Sequence, residues 1–239
     1  MKMVTFIFSP KERAYQSGSM NITIHPEVKN AFPDLEVLTR QINGVKVERR
    51  NASLEKFREE LVEEVKGRYS LETLGSLPTF KAYRAFFWKI GIDPTKNRPA
   101  AEALIRRILR GNPPPTINTL VDAYNLASIK TEIALAAFDV DGLKGSLTMR
   151  FASQGEEFLG IGMSKPLSLR GGEIVISDSE KLVAIYPYRD AENTKVTEGT
   201  GDVLILVCGV PGIPREKLDY AGRVAVEYVV RFCGGRLEE

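Results

Sequence analysis

The sequence predicts an α+β fold, and three observations carry that prediction. Helical periodicity dominates from Ser53 to Thr131. Short apolar or alternating runs separated by turn residues follow from Ile133 to Val210, and one long amphipathic run closes the chain. The chain has 239 residues, 43 % of them hydrophobic and 27 % charged, which is ordinary globular composition and enough to bury a sizeable core. No proline- or serine-rich linker and no repeat divides it. The expected organisation is therefore a helical and α/β preamble over 1–78, packed on the same core as an antiparallel β-sheet system flanked by helices over 79–239.

In chain order, Glu36 to Ile42 reads as a short strand ending at the turn dipeptide Asn43-Gly44. "SLEKFREELVEEVKGRY" is a helix with Ser53 as its cap and Leu54, Phe57, Leu61 and Val65 as its buried stripe. A second helix covers Thr79 to Ile90 and stops at Gly91, placing Tyr83, Phe86, Phe87 and Trp88 at core spacing. A third has Pro99 in its first turn, a face of Leu104, Ile105, Ile108 and Leu109, and Gly111 as its stop. A fourth begins after Asn118, with Ile117 and Val121 expected to bury. "IALAAFDVDGL", "GSLTMRFA", "EEFLGIGM", "GEIVISD", "KLVAIYPYRD" and "DVLILVCGV" supply the strands. The last helix carries Leu218, Ala221, Ala225 and Val229 on one face and ends at Gly234-Gly235.

Several function classes drop out. No apolar run reaches the roughly 18 residues of a membrane span, and "MKMVTFIFSP" is too short and too soon followed by charge for a signal peptide, so the cytoplasm is expected. Cys208 and Cys233 lack pairing or metal spacing and read as buried free thiols. The single histidine, His25 before Pro26, reads as a capping residue rather than a member of a catalytic triad. "LRGGE" lacks the spacing of a phosphate loop and reads as a turn, so no cofactor is expected. Asp139, Asp141, Glu156, Glu157 and Asp178 fit either a divalent ion or, more simply, strand-end solvation. The formal net charge is only +2, yet Phe80 to Arg110 holds eight Lys or Arg against two acids. That stretch is either a phosphate-contacting face or a solvated surface.

From Arg98 to about Gly209 the chain resembles the B3/B4 domain of the phenylalanyl-tRNA synthetase beta subunit, a module that removes tyrosine wrongly attached to tRNA. "INTLVDAYN" followed by "LAAFDVDGLKGSLTMRFASQGEEF" is similar to the family's Ile-Asn-Asn, Val-Asp-x-Thr-Asn and Ala-Phe-Asp elements in order and separation, and "LSLRGGEIVISDSEKLVAI" resembles a second block. The synthetase's aminoacylating module has no counterpart. The resemblance implies a free-standing editing hydrolase acting on aminoacylated tRNA, with no DNA or membrane partner; a non-catalytic RNA-binding module and a small-molecule esterase or amidase are the alternatives. It implies Asn125 and Glu192 as catalytic residues. Asn118, Tyr124 (threonine in the family), Ala136 (histidine in the family), Gly171, Gly172, Arg189 and Asp190 would line the substrate pocket. Arg84, Lys96, Arg98, Arg106, Arg107 and Arg110 would contact tRNA. Strand alternation would put Asp190 and Glu192 on one side of the loop, favouring a polar or cationic amino acid over phenylalanine.

Overall fold

The computed structural model describes residues 20–238. In chain order its elements are β1 (Ile22–Ile24), α1 (Pro26–Ala31), β2 (Val37–Asn43), α2 (Ala52–Arg68), α3 (Leu71–Leu74), α4 (Pro78–Lys89), α5 (Ala100–Leu109) and α6 (Thr119–Thr131). Then come β3 (Ala134–Asp139), β4 (Leu147–Phe151), β5 (Glu157–Phe158), β6 (Leu167–Ser168), β7 (Ile174–Ser177), β8 (Leu182–Ile185), β9 (Arg189–Asp190), β10 (Asp202–Cys208), α7 (Arg215–Cys233) and β11 (Arg236–Leu237). The class is α+β, as the sequence predicts.

Two larger sheets organise the chain, and β5 and β6 form a separate antiparallel pair. One runs β11-β2-β10-β3 and is antiparallel throughout; the other runs β1-β4-β7-β8-β9. Within this second sheet β1, a strand of the N-terminal stretch that the sequence does not announce, pairs with β4 in parallel, whereas the other pairings are antiparallel as expected. The reason is that "NITIH" is too short to declare itself as a strand, and the partner it finds lies more than a hundred residues away. α6 and α7 pack on each other, α7 also against β2 and β10 and α6 against β3. The predicted stripe Leu218, Ala221, Ala225 and Val229 is buried throughout. Phe57 of α2 meets Tyr228 of α7 edge-on, with ring centroids 4.9 Å apart.

Local chemistry corrects several boundaries. Asn51, not Ser53, caps α2: its Oδ1 accepts from the Leu54 amide at 3.1 Å, and the Ser53 hydroxyl donates to the same oxygen at 2.5 Å. Pro99 stands at the cap of α5 rather than inside its first turn. In α4, Tyr83, Phe86 and Phe87 are buried but Trp88 is 59 % exposed. Ile117 is also exposed and Val121 only half-buried, because the α6 cap turns Ile117 outward while its amide donates to Asp122 Oδ1 at 2.9 Å. Both cysteines are buried free thiols, and His25 caps α1, its Nδ1 accepting from the Glu27 amide at 3.4 Å. Three of the acids considered for a metal have partners of their own: Arg150 holds Glu156, Lys181 holds Asp178, and Asp139 accepts from the Thr200 hydroxyl at 2.6 Å.

Candidate functional site

Where the two sheets meet beneath α5 and α6 there is a cleft of about 180 Å³. Its floor follows from strand geometry. Ala134 and Ala136 of β3 point to the same face, and they pair across the ladder with Cys208 and Leu206 of β10, which share that face in turn. Ala184 of β8 extends the floor from the other sheet. These small residues leave open the space that larger side chains would fill. Tyr83 holds the region from below: its hydroxyl donates to the Cys208 carbonyl and accepts from the Ala134 amide at 3.0 Å.

The walls are polar. Tyr124 and Asn125 come from α6, whose direction is set by its cap, Asn118 Oδ1 accepting from the Val121 amide at 2.9 Å. Arg189 and Asp190 come from β9. The main chain of Asp190 is pinned on two sides, by pairing with Ala184 and by the Ile161 amide donating to its carbonyl at 2.9 Å. Among the described residues, the side chains of Tyr124, Asn125 and Asp190 have no hydrogen-bond partner. Withdrawal from water pushes the Asp190 carboxyl up to about 7. Burial, reinforced by Asp190, also raises the Tyr124 phenol and the Cys208 thiol, so both stay protonated at neutral pH. Arg189 does not pair with Asp190. Its guanidinium lies over the Tyr188 ring, 5.2 Å from the centroid, and its stem crosses Gly160, where a Cβ would sit 2.4 Å from Arg189 Cδ.

The structure thus gathers Tyr124, Asn125, Ala136, Arg189 and Asp190, and places the other expected site residues elsewhere. Glu192 opens a 3₁₀ turn after Ala191, lines a separate groove with Phe158 and Pro166, and is held by Lys195. That ion pair, with help from the Gly162 amide, keeps its carboxyl below the usual range. The expectation that Asp190 and Glu192 share a face therefore fails, because the extended backbone ends one residue after Asp190. Asn118 is buried as a helix cap and does not line the cleft. Gly171 and Gly172 form a turn with φ of 89° at both positions, in a neighbouring groove that shares Ile185 and Tyr188 with the cleft. The Gly172 amide is already donating to the Ala152 carbonyl at 3.0 Å.

The basic stretch divides in two. Arg84 and Arg106 converge on Glu102, which is fully buried: Arg84 Nε lies 2.8 Å from Oε2 and Arg106 Nε lies 2.6 Å from Oε1. Burial opposes ionisation of Glu102, but the two guanidiniums outweigh it and hold its carboxyl low. These arginines serve the fold. Lys96, Arg107 and Arg110 remain exposed and Arg98 half-exposed. The Lys96–Arg98 segment borders the cleft, since Ala100 lines it and the Tyr188 hydroxyl at its wall donates to Asn97 Oδ1 at 3.3 Å.

The B3/4 domain family model matches residues 82–234, which include every residue lining the cleft. The chain belongs to the B3/4 domain family. Over 92 residues, 38 % of this chain, it is 34 % identical to the phenylalanine–tRNA ligase beta subunit of Fusobacterium nucleatum, where the match spans 11 % of that subunit. Over 164 residues, 69 % of this chain, it is 26 % identical to the corresponding subunit of Bradyrhizobium diazoefficiens and spans 20 % of it. This B3/4 chain therefore corresponds to no more than about a fifth of these relatives. Among solved structures it is similar to an N-terminal fragment of the phenylalanyl-tRNA synthetase beta subunit from Pyrococcus horikoshii, with a TM-score of 0.48, 16 % identity and coverage of 93 % of this chain and 52 % of the fragment. Among the described residues no helix is long and apolar enough to cross a membrane.

Cleft residues that sequence reasoning missed include Ala134, Ala184 and Cys208. The signal for the first was present in "IALAAFD", where strand parity puts Ala134 beside Ala136.

Proposed function

We propose that this B3/4 protein hydrolyses the ester of mischarged aminoacyl-tRNA in trans, with the cleft as its site. The observation that supports this most directly is the convergence of three unpartnered polar groups, Tyr124, Asn125 and Asp190, in one partly enclosed cleft within the family-matched region. An aminoacyl ester is an activated acyl group, so the protein need only hold it, place a water and stabilise the developing oxyanion. The Asn125 amide can donate to that oxyanion or fix the ribose hydroxyl. The protonated Tyr124 phenol is a second donor, and burial beside apolar residues strengthens both. Glu192 takes no part in this reading. A cytoplasmic location and the division at residue 78 belong to the same proposal, the latter supported by a family match that begins at residue 82.

Placement of the Lys96–Arg98 segment beside the cleft favours a tRNA substrate over a small molecule, since a free ester needs no cationic rim. The test is a panel of deliberately mischarged tRNAs followed for ester loss. At least one should be deacylated, Asn125→Ala should slow that reaction about a hundredfold, as loss of one oxyanion donor does, and Glu192→Ala should leave it unchanged. Tight binding of every tRNA with no ester loss would instead make the protein a non-catalytic tRNA-binding module.

A further inference from the structure

We propose that Asp190 is the receptor for the free α-ammonium of the aminoacyl group, so that the cleft accepts unblocked aminoacyl esters and rejects N-acylated ones. This rests on reading the cleft as an aminoacyl-ester site. Among the described residues lining the cleft, Asp190 supplies the one carboxylate and Arg189 the one cation. Arg189 is committed to the Tyr188 ring and to the surface over Gly160, and no ion pair joins it to Asp190. Asp190 is half-buried in the cleft wall, where a carboxylate without a counterion is less well solvated than in water, and a ligand that brings its own cation offsets that penalty.

Every element around Asp190 agrees with this assignment. α6 contributes Tyr124 and β10 contributes Cys208, both protonated and neutral at physiological pH; β3 and α5 contribute only Ala134, Leu135, Ala136 and Ala100. The turn between β8 and β9 adds the tyrosines Tyr186 and Tyr188, and β9 itself adds Arg189. No fixed positive charge competes for the carboxylate. The α-ammonium is the cation common to all aminoacyl esters, and it is attached to the carbon that bears the ester carbonyl. Holding it orients that carbonyl whatever the side chain, and the alanine floor leaves the side chain room. An N-acyl group replaces the charge with a neutral amide and adds bulk where the carboxylate sits.

The alternative chemistry, a protonated Asp190 donating to a ligand carbonyl, gives the opposite pH dependence. With the carboxyl titrating at about 7, ammonium binding should weaken about tenfold per pH unit below that value. It should weaken again above the amine's own value of roughly 7.7–8.0. Binding of a neutral acceptor should instead strengthen as pH falls.

The experiment is calorimetric titration with adenosines carrying amide-linked alanine, serine, tyrosine or lysine at the 3′ position, each with a free and with an acetylated α-amine. At least one free-amine form should bind, its acetylated partner at least about tenfold more weakly, and the acid limb of its pH profile should vanish in Asp190→Asn. Equal binding of free and acetylated forms overturns the assignment while leaving the aminoacyl site intact. Affinity that rises toward low pH, or an acid limb surviving in a folded Asp190→Asn protein, also overturns it. Binding of neither form by any of the four overturns the assignment and the aminoacyl reading together. The wild-type comparison decides on its own should Asp190→Asn fail to fold.

Discussion

At Asp190 the proposed function and stability pull in opposite directions, and the conflict is measurable without substrate. Its carboxyl titrates near 3.8 when solvated and at about 7 in the fold. Between those values the folded protein binds more protons than the unfolded chain, so this residue's contribution to stability falls as pH rises from about 4 to about 7 and then levels off. Asp190→Asn removes the titration while keeping the shape. In thermal melts the variant should gain on the wild type as pH rises through that window, with the largest advantage near pH 8 and the smallest near pH 4. A difference that is constant with pH would mean that Asp190 is as well solvated in the fold as outside it. Costly, partnerless carboxylates persist where a ligand uses them.

Helix ends carry the next level of organisation, and the C-terminal end of α6 shows how competing effects are weighed. Glu132 occupies the left-handed region at φ 65°, a conformation that costs a non-glycine residue roughly 1–2 kcal/mol. Its side chain offsets this. It accepts from the Tyr69 hydroxyl at 2.9 Å, the Thr79 hydroxyl at 3.0 Å and the Lys217 ammonium at 2.7 Å, tying α2, α4, α6 and α7 together. Removing one partner of a buried charged pair costs about 3–5 kcal/mol. Glu132→Gly should therefore destabilise the protein by a net amount of about 2 kcal/mol in urea unfolding, although glycine suits the backbone better. A more stable Glu132→Gly would mean that the network contributes less than the strain. Glu102 follows the same logic on α5: Glu102→Ala, which strands Arg84 and Arg106, should cost about 3 kcal/mol or more.

Charge distribution sets the behaviour of the whole molecule toward a polyanion. With Arg84 and Arg106 bound to Glu102, the cations left to meet phosphates in this stretch include Lys96, Arg98, Arg107 and Arg110. Replacing Arg98, Arg107 and Arg110 together with glutamate should weaken tRNA binding and lower the slope of log affinity against log salt by about one for each phosphate no longer neutralised. An unchanged slope removes this face from the interface. Glutamate at Arg84 or Arg106 should first lower the melting temperature, because it sets like charges against a buried carboxylate.

By itself the sequence determined the elements and much of the core. Periods of 3.6 and 2 placed the long helices and the strands, and the stripe of α7 and the aromatic face of α4 were legible in it, Trp88 excepted, because burial of a repeating face is a local property of the chain. It also marked Asn125, Ala136, Arg189 and Asp190 as members of one expected pocket, and the structure brings these four to one cleft. Only the tertiary structure decided which charges are free. Arg84 and Arg106 look like surface cations in "KAYRAFFWK" and "ALIRRILR" until Glu102, buried between them, claims both. Asp190 and Glu192 are two residues apart and chemically alike, yet one faces the cleft and the other an outer groove, because the chain leaves the sheet at Ala191 to open a 3₁₀ turn. Such outcomes depend on partners distant in sequence and on where a strand ends, and neither leaves a periodic trace in the residues themselves.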